Sequence, residues 1–175
     1  GSCAGIIVET EAYTIDPASH AARITKKSAA MRDTYGHWYV YFTYGMHYCA
    51  NITTNKNSIG AVLIRAVEPI EGLPLMKRRR AKSLGKSNMG KSNSPKSRVG
   101  KSDSPTSLCS GPAKFCQAFG IDLRENNAPV AGDFVIYDAP DLAPKAIGVS
   151  ERIGITKGTE LPWRFYIKGS HFLSR

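Results

Sequence analysis

The strongest constraint on the fold is the aromatic, β-prone run from Trp38 to Ile52, which is interrupted at Gly45. Aromatic and β-branched residues favour strands, and a glycine between two such runs favours a tight turn. The run therefore predicts a β-hairpin whose turn lies near Tyr44, Gly45 and Met46.

Other strands and helices are predicted on both sides of this hairpin. Strands are expected at residues 5–13, 61–67, 134–137, 147–155 and 164–168, and helices at 73–82 and 112–119. The second helix is preceded by Ser110 and Gly111 and opens with Pro112, a common helix start. Residues 14–37 are polar and irregular, which indicates a loop with a short helix. Because strands outnumber helices, the predicted class is α+β, a single domain over residues 1–175 with a mostly antiparallel sheet.

Residues 83–107 differ in kind from the rest of the chain. They contain three near-repeats of Gly-Lys-Ser and almost no large apolar residues. This composition is typical of a flexible, positively charged loop. The Gly-Lys-Ser triplet resembles the end of a phosphate-binding P-loop, but the upstream glycine and the flanking strand and helix are missing. We therefore expect no nucleotide cofactor.

Charge narrows the class of partner. The formal net charge is +10, from 24 Lys and Arg residues against 14 Asp and Glu residues. Such an excess favours a polyanion, since neutralised phosphates release their counterions. DNA, RNA and an anionic membrane surface satisfy the sign equally well. No apolar run approaches the roughly 20 residues that span a bilayer, and no secretory leader is recognisable, so no membrane span is expected.

The four cysteines, Cys3, Cys49, Cys109 and Cys116, include no Cys-x-x-Cys pair. Their spacing is poor for zinc, and a chain of this length needs no disulfide framework. We therefore expect reduced, mostly buried thiols in an intracellular protein, and no metal site.

Carboxylates and tyrosines are the best candidates for chemistry. Glu9 and Glu11 lie two positions apart on the first predicted strand, so both face the same side. A salt-bridged strand edge is the structural alternative, and the aromatic and basic surroundings favour a functional carboxylate instead. Tyr39 and Tyr41 share one face of the hairpin, an arrangement usual in a core. Tyr44 falls at the turn, where an exposed ring on a basic protein can wedge into a stack of bases.

Several motifs together closely resemble the alkyladenine (3-methyladenine, or methylpurine) DNA glycosylase family. They follow in the family's order across nearly the whole chain, at residues 7–13, 39–51, 62–69, 108–118, 152–155 and 162–166. The resemblance implies a curved, mostly antiparallel sheet with flanking helices and a protruding hairpin. It also implies a base excision repair enzyme that flips and removes damaged purines from double-stranded DNA. That class of substrate comprises 3-methyladenine, 7-methylguanine, hypoxanthine and ethenoadenine.

The resemblance further implies roles for individual residues. Glu11 would activate the attacking water, while Arg65 and the carbonyl group of Ile153 hold that water. The walls of the base pocket would be Tyr13, His20, Tyr41 and Asn51, of which Asn51 crowds the 2-amino position of guanine. The contacts with DNA would come from Tyr44, which fills the gap left by the flipped nucleotide, and from Met46, Thr25 and Lys114.

The resemblance also bears on lyase activity, cofactors, oligomeric state and location. No lysine of the matched motifs stands where Glu11 does, so no Schiff-base lyase step is expected. The resemblance implies no cofactor, a monomer, and a location with the DNA inside the cell. The family's segment ahead of the first strand is missing from this sequence, so a fragment is expected.

Two alternatives remain open. One is a non-catalytic nucleic-acid-binding module of the same fold, and the other is a membrane-surface or RNA-binding structural protein. Glu11 beside Arg65 distinguishes an enzyme from the non-catalytic module, because a phosphate-binding surface gains nothing from a carboxylate there.

Overall fold

A computed structural model describes the whole chain except Ile24, Lys27, Asn55, Asn57, residues 88–103, Pro140 and Arg175, and it describes residues 84–87 by their backbone alone. Strands and α-helices follow in the order β1 (Ala4–Tyr13), α1 (Ala29–Asp33), β2 (Tyr35–Thr43), β3 (His47–Thr54), β4 (Ala61–Glu71), α2 (Leu73–Ser87), α3 (Pro112–Phe119), β5 (Ile147–Ser150) and β6 (Arg164–Ile167).

The six strands form one sheet in the order β2-β3-β4-β1-β6-β5, and every neighbouring pair is antiparallel. The predicted α+β class with an antiparallel sheet is confirmed. Strand β1 lies inside the sheet, between β4 and β6, and residues 9–11 pair on both sides. This central position buries the two carboxylates of β1, which would otherwise lie at a hydrated sheet edge.

The two faces of the sheet have different partners, because successive side chains of a strand point to opposite sides. One face, here called the core face, packs against α2 and α3. Its buried cluster includes Trp38, Val40, Ile64, Val67, Met76 and Phe115. The opposite face, here called the cleft face, carries a smaller cluster that includes Tyr39 together with Ala21, Ala30 and Met31. The cleft face therefore remains partly open.

The helix at residues 112–119 has the predicted bounds, whereas the basic helix is longer than predicted. Helix α2 continues to Ser87 and so includes the first residues of the predicted loop 83–107. At the other end of that segment, Pro105–Ser107 form a 3-10 turn. Residues 88–103, with two of the three Gly-Lys-Ser repeats, lie outside the described residues. The segment predicted as a loop is therefore helical at its start, and its flexibility stays a prediction.

Two predicted strands are also wrong. Residues 134–137 form no strand, and Phe134 instead packs edge-on against Trp38, whose indole Nε1 donates to the carbonyl oxygen of Phe134 at 3.1 Å. The apolar side chain of Phe134 therefore makes a tertiary contact and does not belong to a strand. The predicted strand 147–155 ends at Ser150, because the residues that follow turn towards the cleft and bond to β1 and Asp16.

All four cysteines are free, and all except Cys3 are buried, as expected. Burial raises the pKa of Cys49 and raises that of Cys109 to about 12. No helix in the described part of the chain is long and apolar enough to cross a membrane.

Candidate active site

A cleft of about 530 Å³ opens on the cleft face of the sheet. Its walls include four tyrosines, Tyr13, Tyr39, Tyr41 and Tyr44. Loops at residues 17–20 and 153–157 form other parts of the wall. Aromatic walls of this kind suit a flat, ring-shaped ligand.

Glu11 is fully buried and contacts three residues that line the cleft. Its Oε1 accepts a hydrogen bond from the backbone N–H of Ile153 at 2.7 Å, and its Oε2 accepts one from the hydroxyl of Tyr13 at 2.8 Å. The Nη1 of Arg65 lies 3.2 Å from Oε1. Each carboxylate oxygen therefore has a fixed partner, which holds the group in one orientation.

Arg65 reaches both carboxylates because the pairing of β1 with β4 is irregular at this point. Thr10 lies opposite Ile64, but Glu9 lies opposite Ala66, so the register skips Arg65. Such irregularities re-aim side chains. The guanidinium is 3.1 Å from Glu9 and 3.2 Å from Glu11, and its Nη1 donates to the carbonyl oxygen of Ile153 at 3.4 Å.

Glu9 accepts more hydrogen bonds than Glu11. Besides Arg65, it accepts hydrogen bonds from Arg164 at 2.7 Å and from both the backbone N–H and the hydroxyl of Ser174. Burial alone would raise the pKa of Glu9, but the bonds from Ser174 and Arg164 outweigh it, and the pKa lies below its ordinary value. Glu9 is therefore a charged, fully engaged group.

The predicted pocket residues lie together on the aromatic wall. The ring of His20 contacts that of Tyr41, with centroids 4.6 Å apart, and its Nδ1 lies 2.7 Å from the hydroxyl of Tyr39. Asn51 is buried beside them and donates to the carbonyl oxygen of Tyr39 at 3.0 Å. Burial raises the pKa of both Tyr39 and Tyr41, so their hydroxyls remain protonated near neutral pH.

Tyr44 and Met46 lie in the turn of the β2–β3 hairpin, and their exposed fractions are 82% and 63%. The N–H of Met46 donates to the carbonyl oxygen of Thr43, and both Tyr44 and Gly45 have positive φ. Two such residues in succession are typical of the type I′ hairpin turn. Tyr44 lines the cleft, whereas Met46 does not.

The two remaining predicted DNA contacts lie outside the cleft wall. Thr25 is exposed, and its backbone N–H donates to the hydroxyl of Ser28 at 2.9 Å. Lys114 lies on α3, and its Nζ donates to the hydroxyl of Ser110 at 3.3 Å. Pro112, at the start of the same helix, does line the cleft.

A buried ion pair that the sequence did not reveal fixes the loops around the cleft. Arg152 donates to both carboxylate oxygens of Asp16 and to the carbonyl oxygens of Ala12 and Gly158. Its guanidinium lies 4.6 Å from the centre of the Tyr13 ring. This single side chain joins the end of β1 to two loops of the cleft wall.

Sequence reasoning also missed Ser174 and Arg164, which bond to Glu9, and Tyr39 as the residue whose hydroxyl contacts His20. Tyr39 carries a signal that could have found it, because it shares a strand face with Tyr41. Ser174 carries no such signal, since an isolated serine is indistinguishable from a surface residue. In the described part of the chain, no group of three or more His, Cys, Asp or Glu side chains could hold a metal ion.

A buried carboxylate fixed beside a guanidinium, next to a tyrosine-lined cleft, defines an enzyme-like site for a flat ring. Comparison with known proteins narrows this class. A family model described as Methylpurine-DNA glycosylase (MPG) matches residues 1–171. The chain therefore belongs to the methylpurine-DNA glycosylase family, whose members are DNA repair enzymes acting on DNA.

Relatives agree with this assignment over nearly the full chain. A protein of Methanoculleus marisnigri is 41% identical over 98% of this chain and 83% of its own. One from Carboxydothermus hydrogenoformans is 43% identical over 98% of this chain and 82% of its own. A third, from Agrobacterium fabrum, is 41% identical over 100% of this chain and 80% of its own. The names of all three include the words 3-methyladenine DNA glycosylase.

Proposed function

We propose that this DNA glycosylase excises alkylated or deaminated purines of the 3-methyladenine, 7-methylguanine, hypoxanthine and ethenoadenine class from double-stranded DNA. Water attacks the N-glycosidic bond, and an abasic site remains for base excision repair. The protein acts as a monomer without a cofactor, with the DNA inside the cell.

The observation that carries this proposal is the convergence of three groups beside the cleft. Nη1 of Arg65 lies 3.2 Å from the Glu11 carboxylate and 3.4 Å from the carbonyl oxygen of Ile153. A carboxylate and a carbonyl accept hydrogen bonds and a guanidinium donates them. One water between them would have both of its protons and one lone pair engaged.

In the reaction, the C1′–N bond breaks and its electron pair leaves with the purine. The sugar becomes oxocarbenium-like, and the negative charge of Glu11 stabilises it. The water oxygen then bonds to C1′ while Glu11 takes one of its protons. An N-alkylated purine leaves readily because it already carries a positive charge, whereas neutral hypoxanthine must be protonated before it leaves.

The aromatic wall binds the flipped base. Tyr13, His20 and Tyr41 form the wall that stacks on the purine and hydrogen-bonds to it. Tyr13 contributes its ring, because its hydroxyl donates to Glu11. Electron-rich tyrosine faces favour a cationic ring. Asn51 is pinned to β2 by its bond to Tyr39, so it cannot swing aside for a 2-amino group. Normal guanine is thereby disfavoured.

The duplex is held open and in register by residues other than those that bind the flipped base. Tyr44, with Met46 beside it, occupies the space left by the flipped nucleotide. Lys114 and Thr25 bind the DNA backbone. Extrusion of a base costs a few kcal/mol, and less for a damaged pair.

The enzyme is monofunctional. A lyase needs an amine that attacks C1′ and forms a Schiff base. Lys157 is the lysine among the described residues of the cleft wall, and it is exposed in a loop, whereas Glu11 is the group beside the proposed water. Borohydride should therefore trap no covalent protein–DNA product.

The proposal is tested by incubating the protein with duplex DNA that carries one hypoxanthine or ethenoadenine, followed by alkaline cleavage. The parent should excise the base, and Glu11→Gln should slow single-turnover excision on the order of 10²-fold or more without loss of DNA binding. Glu151→Gln, an exposed carboxylate near the cleft loop, is the matched control.

A Glu11→Gln variant that cuts within about threefold of the parent would exclude Glu11 as the base. A parent that binds the duplex but leaves every lesion intact would favour the alternative of a non-catalytic nucleic-acid-binding module.

A further inference from the structure

The hydroxyl of Ser174 makes hydrogen bonds with the side chains of Glu9 and Arg65. It donates to Glu9 Oε1 at 2.8 Å and accepts from Arg65 twice, from Nε at 3.1 Å and from Nη2 at 2.9 Å. A serine hydroxyl has one donor and two acceptor positions. All three are occupied, and Ser174 is only 6% exposed.

Glu9 completes this cage from the other side. Its Oε1 accepts from Arg65 Nε, from Arg164 Nε and from the Ser174 hydroxyl, while its Oε2 accepts from the backbone N–H of Ser174. The side chain of Glu9 has no exposed surface. Among the described partners of Glu9, Arg65 is the one that lines the cleft.

The guanidinium of Arg65 presents its donors in a rigid, planar fork. Its Nε and Nη2 edge is occupied by Ser174 and Glu9, and Nη1 is the nitrogen that addresses Glu11 and the carbonyl oxygen of Ile153. The bonds on one edge thus determine the direction of the other edge.

We infer that Ser174, together with Glu9, is a positioning group that fixes the guanidinium of Arg65 so that Nη1 faces Glu11 and the Ile153 carbonyl. The inference rests on the proposed function, in which those three groups hold the attacking water. Ser174 touches neither water nor substrate in this scheme, and it acts through Arg65 alone.

The consequence of losing the hydroxyl follows from the geometry. In Ser174→Ala, Nη2 of Arg65 has no acceptor among the contacts described, and Nε keeps only Glu9. The guanidinium can then rotate towards Glu11 and satisfy both of that residue's oxygens, which displaces the water. Small misplacements of reacting groups cost up to about 100-fold in rate.

The experiment measures single-turnover excision and DNA affinity for four proteins: the parent, Ser174→Ala, Arg65→Ala and the double variant. Ser174→Ala should lower the excision rate about 10-fold or more while the Kd for lesion-containing duplex stays within about twofold. In the Arg65→Ala background, removing the serine hydroxyl should change the rate by less than about twofold, because its effect passes through Arg65.

Ser170→Ala is the matched control. Ser170 lies in the same segment, and its hydroxyl accepts from the N–H of Phe172 rather than from Arg65. If Ser174→Ala does not fold, Ser174→Cys keeps a side chain of similar shape with a weak hydrogen-bonding group, and the same loss is expected. Glu9→Gln should also be milder than Glu11→Gln, since it acts at one remove.

Two outcomes would overturn the inference. One is a Ser174→Ala enzyme with the parental rate, and the other is an equal loss from Ser174→Ala with and without Arg65. The proposed function fails differently, since it is Glu11→Gln or Arg65→Ala that would then leave excision unchanged.

Discussion

The hydroxyl of Tyr13 and the carboxylate of Glu11 form one hydrogen-bonded unit at the residue scale. Burial and the neighbouring charge of Glu11 raise the pKa of Tyr13, so the hydroxyl stays protonated and donates. Tyr13→Phe keeps the ring and removes this donor. We expect single-turnover excision to fall about 10-fold with little change in lesion binding, since a hydrogen bond to a charged group contributes about 1.5–3 kcal/mol.

Tyr48→Phe controls for this substitution. Tyr48 packs against the core-face cluster, on the face of the sheet opposite the cleft, and its ring contacts that of Phe42. A Tyr13→Phe enzyme as fast as Tyr48→Phe would remove the hydroxyl of Tyr13 from the proposed mechanism.

The buried carboxylates of Glu9 and Asp16 should make the stability of the fold depend on pH. Burial would raise the pKa of Asp16, but its bonds with Arg152 and the backbone dominate, so its pKa, like that of Glu9, lies below the ordinary value. A lowered folded-state pKa stabilises the fold above the unfolded pKa, and that stabilisation is lost as the pH falls through the folded value.

We therefore expect the free energy of unfolding to decline below about pH 4.5, the ordinary value for Glu9, and continue declining below 3.8, that for Asp16. Chemical denaturation across pH 3–7 measures this. Asp16→Asn should make the decline of the free energy of unfolding at low pH less steep, whereas Asp133→Asn, at an exposed position, should not. A decline in Asp16→Asn as steep as in the parent would contradict the role of Asp16.

Sequence patterns predicted these residues to different degrees. The two-residue period of a strand predicted that Glu9 and Glu11 share a face, and their common partner Arg65 confirms it. Ser174 could not be predicted, because it meets Glu9 across 165 positions and single serines carry no periodic signal. Asp16 and Arg152, 136 positions apart, escaped for the same reason.

At the scale of elements, the β2–β3 hairpin holds Tyr44 in a left-handed conformation with φ of 51°. Large residues adopt this conformation uncommonly, and one that is 82% exposed needs a use. If Tyr44 holds the duplex open, Tyr44→Ser should weaken binding and excision at duplex lesions. Lesions in single-stranded DNA should be affected much less, because no stack need be held open.

Tyr35→Ser is the control for an exposed tyrosine on the same hairpin, at the far end of β2. Equal losses for Tyr44→Ser on duplex and single-stranded lesions, in a folded protein, would mean that Tyr44 supports the fold rather than the flipped state.

Elements with a strong local signal were predicted well. The hairpin has a glycine turn between aromatic runs, and α3 has a proline at its start and a glycine after its end. Segments held by tertiary contacts were not, as at Phe134, whose ring docks on Trp38, and at Ile153, whose backbone N–H donates to Glu11. Periodicity alone does not separate a strand from a docked loop.

At the scale of the whole molecule, charge is concentrated in one stretch. Residues 72–102 contain ten Lys and Arg residues and no Asp or Glu, so this stretch alone equals the net charge of +10. The remaining residues contain 14 of each sign, since 24 − 10 = 14. Helix α2 opens this stretch and exposes Lys77, Arg78 and Lys82.

These exposed cations should add a salt-dependent, sequence-independent part to DNA binding. A variant in which Lys77, Arg78 and Lys82 are glutamine should bind undamaged duplex more weakly and with a shallower dependence on salt. Its single-turnover rate at saturating protein should equal that of the parent. Binding measured from low to physiological salt tests this.

A second variant controls for net charge itself. It loses the same three charges at exposed positions outside the basic stretch, at Lys56, Lys145 and Lys168. Equal salt slopes for the two variants would show that total charge, rather than its concentration on α2, governs binding.

Two contacts that build the reactive centre join distant parts of the chain, since Glu11 and Ile153 are 142 positions apart and Arg65 and Ser174 are 109 positions apart. Closing such long loops is entropically costly, and contacts of this kind form late in folding. The hairpin, by contrast, forms from neighbours in sequence. During refolding, excision should therefore be the last property to return, after the far-UV circular dichroism of the sheet and helices has become native.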